Sequence, residues 1–123
     1  MGGTLAKLKE FFADGVAAFN TNNYSQLRPY LADNLTVYSI NRHQRYRGAA
    51  EIERFFVKQF QDRPQFRFPV DANYTLDAPD GSATQATITG TTQWQDENGA
   101  EPLQFNFTCV YKDRWLFLKL WAS

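Results

Sequence analysis

Residues able to do acid–base or nucleophilic chemistry are few in this chain of 123 residues. His43 is the only histidine and Cys109 the only cysteine. A catalytic triad would need Ser39, His43 and an acid such as Asp33 to converge, and nothing in their spacing indicates this. One histidine and one thiol do not make a zinc or iron site, so we expect no metal and no cofactor. We therefore predict no catalytic residue from these groups.

Cys109 falls at an inward position of a predicted strand. A redox or nucleophilic role would need a partner base, which the sequence does not offer. We therefore interpret Cys109 as a small buried hydrophobe.

His43 lies among Arg42, Arg45 and Arg47, directly before a predicted helix. One interpretation is an anion-binding rim, assisted by the free N–H groups at the helix start. The other is a solvated hairpin whose long side chains cover the mouth of a cavity. We adopt the second interpretation because exposed loop charges usually contribute little.

Composition excludes several classes of partner. Thirteen Lys and Arg residues balance thirteen Asp and Glu residues, so the broad basic surface of a nucleic-acid or anionic-membrane binder is missing. No apolar run approaches the roughly 18 residues of a membrane span, so we expect no membrane insertion. The single Cys109 excludes an intramolecular disulfide, and together with an N-terminus unlike a secretion signal it predicts a cytoplasmic protein. Aromatic residues make up 16% of the chain, which suits either a dense core or a lined cavity.

Hydrophobic periodicity predicts three helices and six strands within one α+β domain over residues 1–123. The helices are predicted at 4–20 with Thr4 as the N-cap, at 24–32, and from Gly48 onward with a buried stripe that ends at Phe60. Alternation with a period of two predicts strands at 35–41, 42–47, 66–77, 84–95, 103–111 and 115–122. The last strand is apolar on both faces, which places it in the middle of a sheet.

A family resemblance extends over nearly the whole chain. It is carried by the segments AFNTNNY (18–24) and LADNLTV (31–37), by Arg47-Gly48, and by Ile52, Phe55 and Phe56. These residues resemble the pattern of the nuclear transport factor 2-like (NTF2-like) superfamily, of the SnoaL-like and ketosteroid isomerase-like type. The resemblance implies a cone-shaped, cystatin-like α+β fold, with three helices on a curved, mostly antiparallel sheet of about six strands. In such proteins ligands bind in a conical cavity between the sheet and the helices.

The same resemblance places the ketosteroid isomerase groups on residues that lack the chemistry. The position of the catalytic carboxylate falls on Ser39, that of the oxyanion-hole tyrosine on Gly15, and that of the second acid on or next to Phe107. A serine with no nearby base cannot abstract a proton next to a carbonyl, and phenylalanine cannot donate a hydrogen bond to an enolate. Ketosteroid isomerase activity is therefore not expected.

A weaker resemblance is to the carotenoid-binding C-terminal domain of cyanobacterial photoprotective proteins. It is carried by four short segments, FNTNNY (19–24), RFF (54–56), TG (89–90) and AS (122–123). Those proteins hold the keto oxygen of the carotenoid with a tyrosine and a tryptophan, and the matching positions here are Gly15 and Thr108 or Cys109. This resemblance implies a lipophilic cavity, but not that ligand.

The predicted inward face is almost entirely apolar, with Ser39, Asn41 or Tyr111 as sparse polar contacts. The predicted ligand-binding residues are Phe19, Val37, Ser39, Asn41, Phe55, Phe56, Phe60, Ile88, Phe105, Phe107, Cys109 and Leu118. Such a lining favours a small lipophilic ligand held by shape. The alternative is that the phenylalanines fill the cone completely and leave only a core.

Strand alternation also predicts a homodimer. If Leu116, Leu118 and Leu120 point into the cone, large aromatic side chains point to the opposite face and form an apolar patch. The predicted interface residues are Tyr38, Ile40, Trp115, Phe117 and Trp121. A patch of this kind suits a two-fold interface between identical chains.

Three functions remain open at this point. They are a binding module for a small hydrophobic molecule, a SnoaL-like isomerase, cyclase or hydrolase acting on a polyketide-like or terpenoid-like substrate, and a ligand-free dimeric scaffold. An enzyme needs a perturbed acid or base that faces the cavity. Alternation places none there, so the binding module and the scaffold are preferred.

Overall fold

The computed structural model describes residues 4–39, 44–69, 73–77, 84–96 and 99–122. In these ranges the helices are α1 (Leu5–Phe19), α2 (Tyr24–Leu27) and α3 (Ala49–Asp62), with a short 3-10 helix at Arg28–Tyr30. The strands are β1 (Leu31–Ser39), β2 (Gln44–Arg47), β3 (Asn73–Asp77), β4 (Gln85–Asp96), β5 (Gly99–Lys112) and β6 (Arg114–Ala122). The predicted α+β class, with three helices on a mostly antiparallel sheet of six strands, is confirmed.

The six strands form one sheet in the order β2-β1-β6-β5-β4-β3. Every neighbouring pair is antiparallel except β1 and β6, which run parallel. The last strand therefore inserts between the first and the fifth, away from both edges. This is the interior position that its two-sided apolar pattern predicted.

Both long helices begin at residues suited to capping. Thr4 accepts a hydrogen bond from the backbone N–H of Lys7 at 3.2 Å, as an N-cap residue does. Gly48 precedes α3 with φ of 89°, a backbone conformation that glycine adopts without steric cost. None of the helices in the described ranges is long and apolar enough to cross a membrane.

The region between α1 and β1 differs from the prediction. The helix predicted at 24–32 ends at Leu27, a 3-10 turn follows, and β1 begins at Leu31 rather than at residue 35. Pro29 lies in that turn and has no N–H group to continue the helical ladder. Leu31 and Ala32, assigned to the helix by periodicity, are buried strand residues.

Of the strand predicted at 66–77, the structure describes residues 66–69 and 73–77. Within these ranges regular pairing is found in β3, and Phe66 and Phe68 lie ahead of it, outside the six strands. Both rings are nevertheless buried. The side-chain amide of Asn20 holds this segment, because it donates to the carbonyl oxygen of Phe68 and accepts from the Phe68 N–H, each at 2.9 Å. These two hydrogen bonds thus fasten the segment ahead of β3 to the end of α1.

A β-bulge in β6 changes which of its side chains face the helices. Thr108 pairs with Lys119 and Cys109 with Phe117, so Leu118 is an extra residue with no partner on β5. One extra residue reverses the alternation on either side of it. Trp115 and Phe117 are therefore buried, at 4% and 5% exposure, on the face that carries the helices. Their predicted place on the outer face, in a dimer interface, is wrong.

Candidate functional site

A pocket of about 180 Å³ lies between α1, α3 and the face of the sheet that carries these helices. From α1 it is lined by Phe12, Gly15, Val16 and Phe19, and from α3 by Phe55, Phe56 and Gln59. The sheet contributes Leu31, Val37, Tyr38, Leu103, Phe107, Phe117, Leu120 and Ala122. Phe66 and Phe68, the segment fastened by Asn20, complete one side.

Gly15 lets α1 lie close to the floor of this pocket. A Cβ atom built on Gly15 would stand 2.8 Å from Cε2 of Phe117, closer than such atoms approach in proteins. The Phe117 ring is held from its other sides, with Phe11 at 4.5 Å and Phe107 at 5.9 Å between ring centroids. The position where the resemblance expects an oxyanion-hole tyrosine therefore lacks the tyrosine, and the adjoining space is taken by Phe117.

Phe107 lies at the centre of an aromatic cluster in the wall. Its ring centroid is 5.0 Å from that of Phe105, and 6.2 Å from those of both Phe12 and Phe68. Tilted, edge-on and offset pairs at these distances are favourable arrangements for aromatic rings. This position, where the resemblance expects the second acid, is thus an apolar wall element surrounded by rings.

The structure divides the twelve predicted ligand-binding residues into three groups. Phe19, Val37, Phe55, Phe56 and Phe107 line the pocket. Phe60, Ile88, Phe105 and Cys109 belong to the buried core instead, and Leu118 is the bulge residue of β6, half-buried and off the wall. Asn41 lies outside the described residues, and of Ser39 the backbone alone, at the end of β1, is described.

Several wall residues were missed by the sequence analysis. Gln59 follows Phe55 by four positions and Phe56 by three, so the stripe on α3 passes through it. This helical spacing predicts that Gln59 shares a face with Phe55 and Phe56, but only apolar residues of α3 were predicted to line the cavity. Alternation in the strand predicted at 66–77 put Phe66 and Phe68 on one face, but it did not show that this face meets the pocket, because Asn20, which holds Phe68, is 48 residues away in sequence.

Within the described wall, the side chains offer almost no acid–base chemistry. Tyr38 and Gln59 are the wall residues with polar side chains, and no Asp, Glu, His, Lys or Arg is among those that the structure places there. Tyr111, predicted as a sparse polar contact, packs instead on Trp115 with ring centroids 5.5 Å apart. The described part of the pocket is therefore equipped to hold an apolar molecule by shape.

A triad of Ser39, His43 and Asp33, which the spacing did not indicate, gains no support from the described residues. Asp33 is exposed, and its carboxylate pairs with Arg28 at 2.6 Å. Asp33 and Ser39 are also six residues apart on one strand, which separates them by roughly 20 Å. Arg45 and Arg47 are exposed on the edge strand β2, whereas Arg42 and His43 fall outside the described residues.

Cys109 is fully buried on β5, and burial raises the pKa of its thiol to about 12. The interpretation as a buried hydrophobe is confirmed. Because the pKa is raised, the neutral thiol persists in the folded protein throughout the ordinary pH range, and the reactive thiolate is scarce.

We therefore expect Cys109 in the native protein to resist a thiol reagent such as dithionitrobenzoate at pH 8. In denaturant the same thiol should react fully and rapidly, since its pKa returns to the ordinary value. Release of the coloured thiolate product, followed with and without urea, measures both rates. Complete reaction of the folded protein within seconds would contradict the burial of this residue.

Two of the predicted interface residues remain on the outer face of the sheet. Tyr38 and Trp121 are neighbours in the register of β1 and β6, and both are half-buried. Tyr38 contributes to the pocket wall, but its ring lies against the Lys119 ammonium, with the nitrogen 5.2 Å from the ring centroid. Ile40 lies outside the described residues.

Comparison with known proteins identifies the fold. No protein-family model matches this sequence, and no curated protein is significantly similar to it. Among solved structures, an NTF2-like protein of unknown function from Pseudomonas putida KT2440 is similar, with a TM-score of 0.78 and 10% identity, over 96% of this chain and 84% of that one. A protein of unknown function with a cystatin-like fold from Nostoc punctiforme has a TM-score of 0.76 and 10% identity, over 100% of this chain and 96% of that one.

A presumptive ketosteroid isomerase from Shewanella frigidimarina is similar too, with a TM-score of 0.68 and 15% identity, over 93% of this chain and 92% of that one. At sequence identities this low, the similarity shows a shared backbone arrangement and does not show a shared activity. The element order, the sheet topology and these three similarities agree with one another. The chain has the cone-shaped, cystatin-like fold of the nuclear transport factor 2-like superfamily.

Proposed function

We propose that this chain is a cytoplasmic single-domain binding module that holds a small hydrophobic molecule in the pocket between α1, α3 and the sheet. The observation that carries the proposal is the lining, in which phenylalanine, leucine and valine side chains surround a volume of about 180 Å³. An apolar cavity of about 150 Å³ is large enough to bind benzene. A pocket of this size therefore suits a compact ligand with one or two rings.

Binding is favoured over catalysis by the chemistry of the wall. General acid–base catalysis needs a titratable side chain within hydrogen-bonding reach of the reacting atom. Of the positions that the resemblance marks for catalysis, Gly15 and Phe107 lie on the wall and carry no such group. The isomerase name of one structural neighbour belongs to that protein, and no described side chain here supports its transfer.

We further propose that the module forms a homodimer through the outer face of the sheet. The support is the adjacent pair Tyr38 and Trp121, which alternation places on the face opposite the helices. Threonine, asparagine and glutamine side chains of β4 and β5 border this pair. A small apolar centre with a polar rim is the usual anatomy of such an interface.

The binding proposal is tested with the neutral two-ring dye 6-propionyl-2-dimethylaminonaphthalene, whose emission rises and shifts to the blue in apolar surroundings. We expect the wild-type protein to enhance its emission saturably, and Ala122→Phe to weaken binding by roughly tenfold or more, because a larger side chain on the wall fills the pocket. Ala17→Phe is the matched control, since Ala17 is exposed on α1 and away from the wall.

Equal dye binding by both variants would overturn the assignment of the pocket. Absence of saturable binding by the wild-type protein would instead favour the ligand-free scaffold.

A further inference from the structure

Gln59 is a polar residue within an otherwise apolar part of the wall. It lies on α3 one turn after Phe55 and Phe56, and its side chain is half-buried. In the described part of the chain no hydrogen bond engages its side-chain amide. The amide thus has an unused N–H₂ donor and an unused carbonyl acceptor.

The second polar wall residue, Tyr38, is directed differently. Its ring lies against the Lys119 ammonium, which is exposed on the outer side of the sheet. The ring of Tyr38 therefore borders the pocket, but we do not expect its hydroxyl to bond a molecule inside it. This leaves Gln59 as the described side chain available to hydrogen-bond a molecule in the pocket.

An unpaired amide beside an apolar cavity restricts what can enter. In the empty pocket water can satisfy the amide, and a ligand that displaces this water must replace its hydrogen bonds or lose binding free energy. A wholly apolar ligand fails this requirement. A carboxylate fails for another reason, because the described wall holds no cation to compensate its buried charge.

We propose that the pocket selects a neutral molecule of one or two rings that carries one hydroxyl or carbonyl group, and that this group bonds the Gln59 amide. The inference rests on the proposed binding function and deepens it. Gln59 is the residue that orients the ligand, and the aromatic wall supplies the remaining affinity.

The test uses three probes with the same ring system, naphthalene, 1-naphthol and 1-naphthoate, titrated at pH 7 into the full chain. We expect 1-naphthol to bind wild-type protein roughly fivefold to tenfold more tightly than naphthalene, as one net hydrogen bond provides. Naphthoate should bind more weakly than either. Gln59→Met keeps the length of the side chain and removes the amide, so it should abolish the preference for naphthol while naphthalene binding persists.

Gln61→Met is the matched control, because Gln61 is exposed on the same helix. It should keep the preference for naphthol. Equal binding of naphthalene and naphthol by wild-type protein, or a preference that survives Gln59→Met, would overturn the role of Gln59 and leave the binding function intact. Failure of all three probes to bind wild-type protein would overturn both.

Discussion

Gly15→Leu should destabilise the protein by roughly 3 kcal/mol or more, because the new side chain overlaps the Phe117 ring and must push it out of its packing. Already the first added carbon would stand 2.8 Å from Cε2 and 3.2 Å from Cζ of Phe117. Phe117 is 5% exposed and packs against Phe11 and Phe107, so its displacement disturbs the aromatic cluster as well.

The smaller substitution Gly15→Ala separates packing from backbone effects. In an open helix position alanine is more stable than glycine by about 0.5 to 1 kcal/mol. At residue 15 we expect the opposite sign, since overpacking typically costs about 1 to 3 kcal/mol. Urea unfolding of both variants gives the change in free energy.

Two further variants control for alternative causes. Ala17→Gly, at an exposed position of α1, measures the ordinary cost of glycine in this helix. Phe117→Leu shortens the obstructing ring, so in the double variant with Gly15→Ala the two costs should be less than additive. A stabilising Gly15→Ala would show that the close approach of α1 and β6 is not maintained in solution.

Strand β6 shows most clearly which features of the fold the sequence predicts and which it does not. Its two apolar faces correctly predicted an interior strand, because both faces of such a strand are covered. The same pattern misassigned Trp115 and Phe117, since alternation alone cannot reveal that Leu118 is an extra residue without a partner on β5. A bulge depends on the pairing of two strands, and a single strand read alone gives no sign of it.

The pocket wall, like β6, could be predicted from the sequence only in part. Local periodicity on α3 placed Phe55 and Phe56 on the wall, because helical spacing fixes which residues share a face. The wall also depends on contacts distant in sequence, such as the Asn20 amide that holds Phe68. Periodicity within one element cannot predict such contacts, and Phe105 and Phe60 were accordingly assigned to the cavity although they fill the core.

The bulge in β6 turns Trp115 and Phe117 toward the helices, so the dimer prediction now depends on Trp121. With Trp115 and Phe117 buried under the helices, Trp121 is the large apolar anchor that the predicted interface retains in the described residues, beside Tyr38. Hot-spot tryptophans at interface centres commonly account for 2 kcal/mol or more of binding free energy, about a thirtyfold change in Kd. A single substitution should therefore be enough to separate the subunits.

We expect the wild-type protein to sediment as a dimer of about twice 14.2 kDa at micromolar concentration. Trp121→Glu should sediment as a monomer under the same conditions, because it removes the anchor and places two like charges near the two-fold axis. Thr75→Glu is the matched control. Thr75 is exposed in the same row of the sheet as Trp121, three strands away across Asn106 and Thr89, or roughly 14 Å.

The control should remain dimeric, since a charge at the rim of an interface is solvated and contributes little. Dye binding should survive in both variants, because neither residue lies on the pocket wall. A wild-type protein that sediments as a monomer at this concentration would remove the dimer proposal. Loss of the dimer in Thr75→Glu but not in Trp121→Glu would place the interface at the β3 edge of the sheet instead.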